Sequence, residues 1–395
     1  MGTVYITHNG CQMRSLDATK VASYFEKNGY NLSSDPLSAD YSVFISCSGI
    51  DSQVRNTFDT INWLNNEVKS KLILLGCAPA TMPDKISEVF QGDALPLRQT
   101  DKLDELFPHF KYKYNDIEEP YNLYGNRHDS DKVDFTDGVC VPVKKNFWSF
   151  LNFFKHKQVV RKTASIKICD GCNSACSYCN IKIAVGKLKS LTVERLVDTY
   201  TSALKEGYNN IVFMGDDPGA YGTDIGLGLP DLMKELAKHD ADYNPTWAFD
   251  EINPQWLLKY KDFFVDLAKK GKISVIACPI QSGSQRIIDL MNRPYKIEEL
   301  IDFLNYIKKI DKRIEIHTHV IIGFPTETED DFAETCHLFK RVRIEHALIA
   351  SYSEFEKTRS KNFDEKVSPE MRKKRIHLLQ DLFKKHGITF LSNMD

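Results

Sequence analysis

Apolar and polar positions along this chain switch repeatedly between a period of two and a helical period. Between residues 4 and 90, short apolar runs at 4–7 (VYIT), 41–46 (YSVFIS) and 71–75 (KLILL) alternate with helix-patterned stretches at 15–28, 53–68 and 84–90. Strands alternating with helices predict an α/β fold, here a doubly wound parallel sheet. From residue 165 the alternation resumes. Strand patterns fall at 165–169, 210–214, 246–251, 273–278, 313–322 and 346–351, with helix patterns at 193–206, 229–238, 255–270, 298–310 and 329–341. Six such units predict a partial TIM-like (β/α)6 barrel, whose chemistry sits at the carboxyl ends of its strands. The stretch 115–137 is polar and turn-rich, as a linker is. A basic helix is expected at 369–386. The expected organisation is an α/β domain over 1–95, a linker over 96–160, a barrel over 161–365 and a helical extension over 366–395.

Length and composition narrow the class. With 395 residues, 42% hydrophobic and 27% charged, the chain has the make-up of a soluble protein of two or three domains. It has no apolar run of membrane-spanning length, and its first residues (MGTVYITHNG) lack a signal pattern, so a cytoplasmic location is expected. Ten cysteines in a reducing compartment are then ligands or buried thiols rather than disulfides. The net charge of −2 argues against wholesale wrapping by nucleic acid, but residues 141–190 hold ten Lys or Arg against one acid. In that tract Phe147, Trp148, Phe150, Phe153 and Phe154 lie among Lys144, Lys145, Lys155, Lys157, Arg161 and Lys162. Such a mixture can stack on bases, or pack inward with a solvated basic edge.

The cysteines are the candidate chemistry. Cys172, Cys176 and Cys179 lie in IKICDGCNSACSYCN (166–180), directly after the first expected barrel strand. The spacing brings three thiolates to one side of a tight loop, which suits a cubane with three irons ligated and one open. The same loop, recruiting Cys169, also suits a four-cysteine zinc knuckle. Cys11, Cys47 and Cys77 each follow one of the first three expected strands. In a parallel sheet those ends share one edge, so three thiols distant in sequence should meet at one rim. Buried cysteines acting as small hydrophobes are the alternative.

These residues resemble a known family. The loop GCNSACSYC, with Tyr178 before its last cysteine, is similar to the radical S-adenosylmethionine signature. THNGCQM, FISCSG and LLGCAP, then FMGDDPGAYGTD, PIQSGSQRIIDLMNRPY, VIIGFPTETEDDFAET and SYSEFEKT, resemble in order the methylthiotransferases of that superfamily. The resemblance spans roughly 1–90 and 163–360 and implies two 4Fe–4S clusters. Cys172, Cys176 and Cys179 would hold the one whose open iron chelates S-adenosylmethionine. Cys11, Cys47 and Cys77 would hold an auxiliary one that presents sulfur, the two facing a shared cavity. S-adenosylmethionine would serve as methyl donor and as radical source, giving a methylthio group on an unactivated carbon.

By the same resemblance Gly215 and Asp216 would receive the amino group of the cosubstrate. Gln281, Ser282 and Ser284 would reach its ribose or methionine portion, and Gly323 to Pro325 would flank its adenine. Tyr178 is counted with these contacts, and Lys187 and Lys189 are candidates for its carboxylate. Arg293 belongs to the MNR stretch. Some positions depart from the pattern: VGKLKS stands where arginines are usual, and His319 where an acid commonly precedes the GFP turn. The stretch after 365 lacks the strand alternation of the TRAM barrel that transfer-RNA-acting members carry. The expected target is therefore a peptide or protein, a ribosomally made precursor peptide among them, with transfer RNA as the alternative. Sulfur transfer or other radical chemistry without methylation is a further alternative. A flavodoxin- or ferredoxin-type electron donor and a monomeric, membrane-free state complete the expectation.

Overall fold

The first sheet shows its construction in two interleaved apolar sets. Val4, Ile6, Val43, Ile45, Ile73 and Leu75 bury on one face, while Tyr5, Phe44, Leu72 and Leu74 bury on the other. Neighbouring residues of a strand point to opposite faces, so both faces of this sheet are covered. The strands are β1 (Thr3–His8), β2 (Asn31–Ser33), β3 (Tyr41–Ser46), β4 (Lys71–Gly76) and β5 (Asp93–Pro96). They run parallel in the order β2-β1-β3-β4-β5. Helix Gln12–Lys27 covers the first face through Val21, Ala22 and Phe25, and helix Asp51–Glu67 covers the second through Ile61 and Leu64.

The computed structural model describes residues 2–124 and 162–393. The chain divides into two compact units: 1–160 with 165–167 and 180–186, and the remainder to 395. The aromatic and basic stretch from Lys144 to Arg161 lies outside the described residues, as does most of the expected linker. The described start of that linker is folded. Leu103, Phe107, Phe110, Tyr114 and Ile117 complete the first-face core, and Lys20 pairs with buried Glu119 at 2.6 Å. The linker boundary at 96 is revised accordingly. Its polar residues disguise five apolar anchors too widely spaced to read as one element.

The second sheet contains β6 (Thr163–Asp170), β7 (Lys189–Ser190), β8 (Asn210–Gly215), β9 (Thr246–Phe249), β10 (Ile273–Ala277), β11 (Glu315–Ile322), β12 (His346–Ser351) and β13 (Thr389–Asn393). Their order is β13-β12-β11-β10-β9-β8-β6-β7, and the two-residue β7 is antiparallel to β6. Six expected strands are all present. The expected purely helical extension over 366–395 is corrected: helix Pro369–His386 leads into β13, which pairs parallel to β12. A five-residue strand at the chain end is too short for a periodicity signal. The single helix expected over 255–270 is two, Pro254–Lys259 and Lys261–Lys269, broken at Tyr260.

Helix Pro369–His386 is tied back to the barrel by a buried charge pair. Arg375 donates to Glu327 at 2.7 Å and to Glu329 at 2.8 Å, and Glu327 accepts the Gly323 N–H at 2.9 Å. Both Arg375 and Glu327 are buried, so neither charge can be left alone. Replacing Arg375 with Leu should cost roughly 3–5 kcal/mol, read as a lowered midpoint in denaturant unfolding. A change under about 1 kcal/mol, the range of an exposed pair, would contradict this role.

Candidate active site

Two cysteine groups stand at the carboxyl ends of parallel strands, one in each sheet. In the first unit, Cys11 precedes helix Gln12–Lys27, Cys47 follows β3, and Cys77 follows β4 and precedes helix Ala78–Thr81. The Cys47 N–H donates to the Asn9 side chain at 2.8 Å, and its carbonyl accepts from Thr57 at 2.7 Å. The Cys77 N–H donates to the Ser46 carbonyl at 2.9 Å. Gly76 makes that turn feasible: its φ is +112°, and an added Cβ would lie 2.3 Å from the Ser46 oxygen. Burial pushes the Cys47 thiol up to about 11, and the neighbouring Cys11 adds to it. Beneath Cys77, Ala184 and Val185 of helix Ile181–Val185 pack within the same unit.

In the second unit the loop after β6 carries Cys172, Cys176 and Cys179. Gly171 opens it with φ +76°, and a Cβ there would sit 2.0 Å from the Lys187 oxygen. The Gly171 N–H donates to Asp216 at 2.7 Å, which ties the loop to the end of β8. Burial raises the Cys172 thiol to about 12, and the charges of Asp217 and Cys179 push the same way. Cys169 stands apart from this set. It is fully buried on β6, packs against Gly215 and donates to the Asp217 carbonyl at 3.6 Å. A four-cysteine knuckle that recruits Cys169 finds its fourth thiol committed elsewhere.

Each trio offers the donor set of an iron–sulfur cluster. All the described cysteines are free thiols, and both trios carry thiols raised by burial together with a neighbouring thiol. A cluster binds them as thiolates, soft ligands that suit iron–sulfur, so loading releases their protons. The Ser174 N–H donates to the Cys172 sulfur at 3.3 Å and Arg293 approaches the Cys176 sulfur at 3.8 Å, contacts of the kind that set cluster potential. The residues fit the group.

Arg293 is buried and joins three strand ends. It donates to the Tyr178 hydroxyl at 3.0 Å, the Asn253 side chain at 3.2 Å and the Pro279 carbonyl at 2.8 Å. The Tyr178 ring packs beside Ile287, Met291, Phe324 and Tyr352, so Tyr178 helps to position the cysteine loop. The Ser282 hydroxyl is buried against Thr335 at 3.2 Å, and the Ser284 hydroxyl donates to Asp331 at 2.6 Å and caps helix Gln285–Leu290. These hydroxyls build the turn. Phe324 is likewise buried, edge-on to Tyr352, and Gly323, at φ +79°, lies against the Arg372 side chain. Gln281 behaves differently. It holds φ +76°, and its buried Oε1 has no hydrogen-bond partner among the described residues, as an acceptor awaiting a ligand would. Lys187 and Lys189 are exposed.

Sequence reasoning missed the acids of this mouth. Asp250 and Glu251 follow β9, and His319 of β11 faces Glu251 at 3.3 Å. Burial pushes both carboxyls up to about 7, with Glu251 further raising Asp250, while burial pulls His319 down to about 4. The DEINP stretch carries no spacing signal. The departure at His319 was the hint, since a histidine there asks for a carboxylate partner.

A partial parallel barrel with a CxxxCxxC loop after its first strand defines a radical S-adenosylmethionine enzyme. Residues 166–339 match the Radical SAM superfamily, and residues 3–96 match the uncharacterized protein family UPF0004. The chain is 28% identical to the probable threonylcarbamoyladenosine tRNA methylthiotransferase of Pyrococcus horikoshii, covering 89% of this chain and 77% of that one. It is 26% identical to threonylcarbamoyladenosine tRNA methylthiotransferase MtaB of Thermotoga maritima, covering 99% and 84%. It is 29% identical to tRNA-2-methylthio-N(6)-dimethylallyladenosine synthase of Thermosipho melanesiensis, covering 97% and 84%. The fold is similar to the radical S-adenosylmethionine methyltransferase TsrM of Kitasatospora setae, at a TM-score of 0.61 and 12% identity over 91% of this chain and 77% of that one. The chain belongs to the radical SAM methylthiotransferase family with a UPF0004 amino-terminal domain. It is an enzyme of iron–sulfur and S-adenosylmethionine chemistry.

The charge pattern at the mouth has a measurable sign. Acids raised when folded favour the folded state below their unfolded pKa and lose that advantage as pH rises through about 7. His319, lowered when folded, works in the opposite sense, its advantage being lost as pH falls from 6.5 towards about 4. Glu251→Gln removes one acid, so it should stabilise the protein more at pH 8 than at pH 5. The difference should be roughly 1–2 kcal/mol, discounted for the partial exposure of this side chain. Denaturant unfolding at the two pH values reads it, and an equal effect at both would contradict the assignment.

Proposed function

We propose that this enzyme places a methylthio group on an adenosine of transfer RNA. The observation that carries the reading is the pair of strand-end thiol trios, in a chain aligned over nearly its whole length with transfer-RNA methylthiotransferases. This reading takes the place of the peptide target expected from charge and from the residues after 365. Neither of those outweighs relatives that are named for transfer RNA. Its surface cations include Lys187 and Lys189, and phosphate contacts of this kind would fall off steeply with salt.

Cys172, Cys176 and Cys179 would hold one 4Fe–4S cluster, and Cys11, Cys47 and Cys77 a second. When bound, these groups and S-adenosylmethionine supply radical formation, methyl donation and sulfur delivery to carbon. The chain's own residues position and tune. Asp216 fixes the first turn of the cysteine loop through the Gly171 N–H. Arg293 holds Tyr178 and hence the spacing of Cys176 and Cys179. Gln281 offers its buried oxygen to the polar portion of the cosubstrate. Asp250 and Glu251 hold exchangeable protons at the mouth, brought near neutral pH by burial, while burial keeps His319 uncharged beside them. The enzyme would work in the cytoplasm, as a monomer fed by a low-potential flavodoxin- or ferredoxin-type donor.

The test is nucleoside mass spectrometry after anaerobic incubation of cluster-loaded enzyme with S-adenosylmethionine, reductant and total transfer RNA. An adenosine derivative gaining one sulfur and one CH2 is expected. Sulfur insertion without the methyl, or modification only when a peptide pool replaces the RNA, would overturn it.

A further inference from the structure

At the opposite ends of the barrel strands from the cysteine loop stands a second set of ligand-type side chains. Glu315 and His317 lie two residues apart at the start of β11, hence on one face of the sheet. His346 opens β12 and is the direct register partner of His317, so its side chain joins the same face. The Glu315 Oε2 is 3.0 Å from the His317 Nε2 and 3.4 Å from the His346 Nε2, and the two imidazoles meet edge to face at 4.4 Å. One ligand atom from each residue lies within 4.8 Å of the others.

We propose that Glu315, His317 and His346 bind a divalent transition metal ion, zinc by donor chemistry, at the amino-terminal foot of the barrel. Two imidazoles and one carboxylate are a borderline-soft N2O set that suits zinc and leaves a fourth position to water. Donors about 2.0–2.2 Å from a tetrahedral ion stand about 3.3 Å apart, close to the two Glu315 distances. The adjacent cations do not occupy the set: Lys308 and Arg343 both pair with Glu345, at 2.6 and 3.0 Å. The alternation that puts His346 on the Glu315 face sends Glu345 to the other.

Such an ion would clamp β11 to β12 at their starts. β11 also carries His319 and ends at the Gly323 turn. The site is separate from the iron–sulfur chemistry, so its failure leaves the proposed function standing. The test uses the full-length, cluster-loaded enzyme equilibrated anaerobically with zinc and then desalted. About one zinc per chain is expected, with an X-ray absorption spectrum of nitrogen and oxygen neighbours, histidine outer-shell scattering and no sulfur. Zinc should also raise the melting temperature. Glu315→Gln, at a half-exposed position that tolerates change, and His346→Gln should each weaken zinc binding at least tenfold with iron content unchanged. Zinc that is not retained, zinc surrounded by sulfur, or retention equal in wild type and both variants would overturn the proposal. The first of these results would leave the three residues as a hydrogen-bonded network.

Discussion

One buried guanidinium joins the parts of the barrel that chemistry needs. Arg293 reaches the Tyr178 hydroxyl in the cysteine loop, the Asn253 side chain beyond β9 and the Pro279 carbonyl beyond β10. A buried charge of this size is tolerable only where it is hydrogen-bonded, so the three partners are held as firmly as the charge requires. The loop that carries Cys176 and Cys179 is therefore set by the barrel's own strand ends. The Gly171–Asp216 contact performs the same service at the other end of the loop.

Around that cation the mouth collects groups whose protonation burial has rearranged. Asp250 and Glu251 are raised, His319 is lowered, and the thiol of Cys172 is raised. Perturbations of this kind cluster where a site does work. The parallel sheets supply the geometry, since every strand of a βα unit delivers its next residue to the same rim.

Much of this was legible in the sequence, and for definite reasons. The six barrel strands and the three principal strands of the first sheet were readable because their apolar runs are long and bounded by helix patterns. The edge strands β2, β5 and β13 were not, being three to five residues long and half-polar. The anchors Leu103, Phe107 and Phe110 were hidden in a stretch whose charge reads as linker. Both cysteine trios were legible because their positions follow strands. The bonds by which Ser282 and Ser284 build their turn were not legible, because a motif names residues without saying where hydroxyls point. The Asp250–Glu251 pair and the Glu315–His317–His346 set were invisible, because each depends on strands that meet only in the folded sheet.

The account stands on two separate thiol trios, each loading its own cluster, and counting iron tests that most directly. Anaerobically reconstituted enzyme should hold about eight irons per chain, and the Cys11, Cys47, Cys77 triple alanine variant about four. That variant should still cleave S-adenosylmethionine with a reductant yet transfer no sulfur. About four irons in the unaltered enzyme, or cleavage lost together with the first trio, would contradict the account.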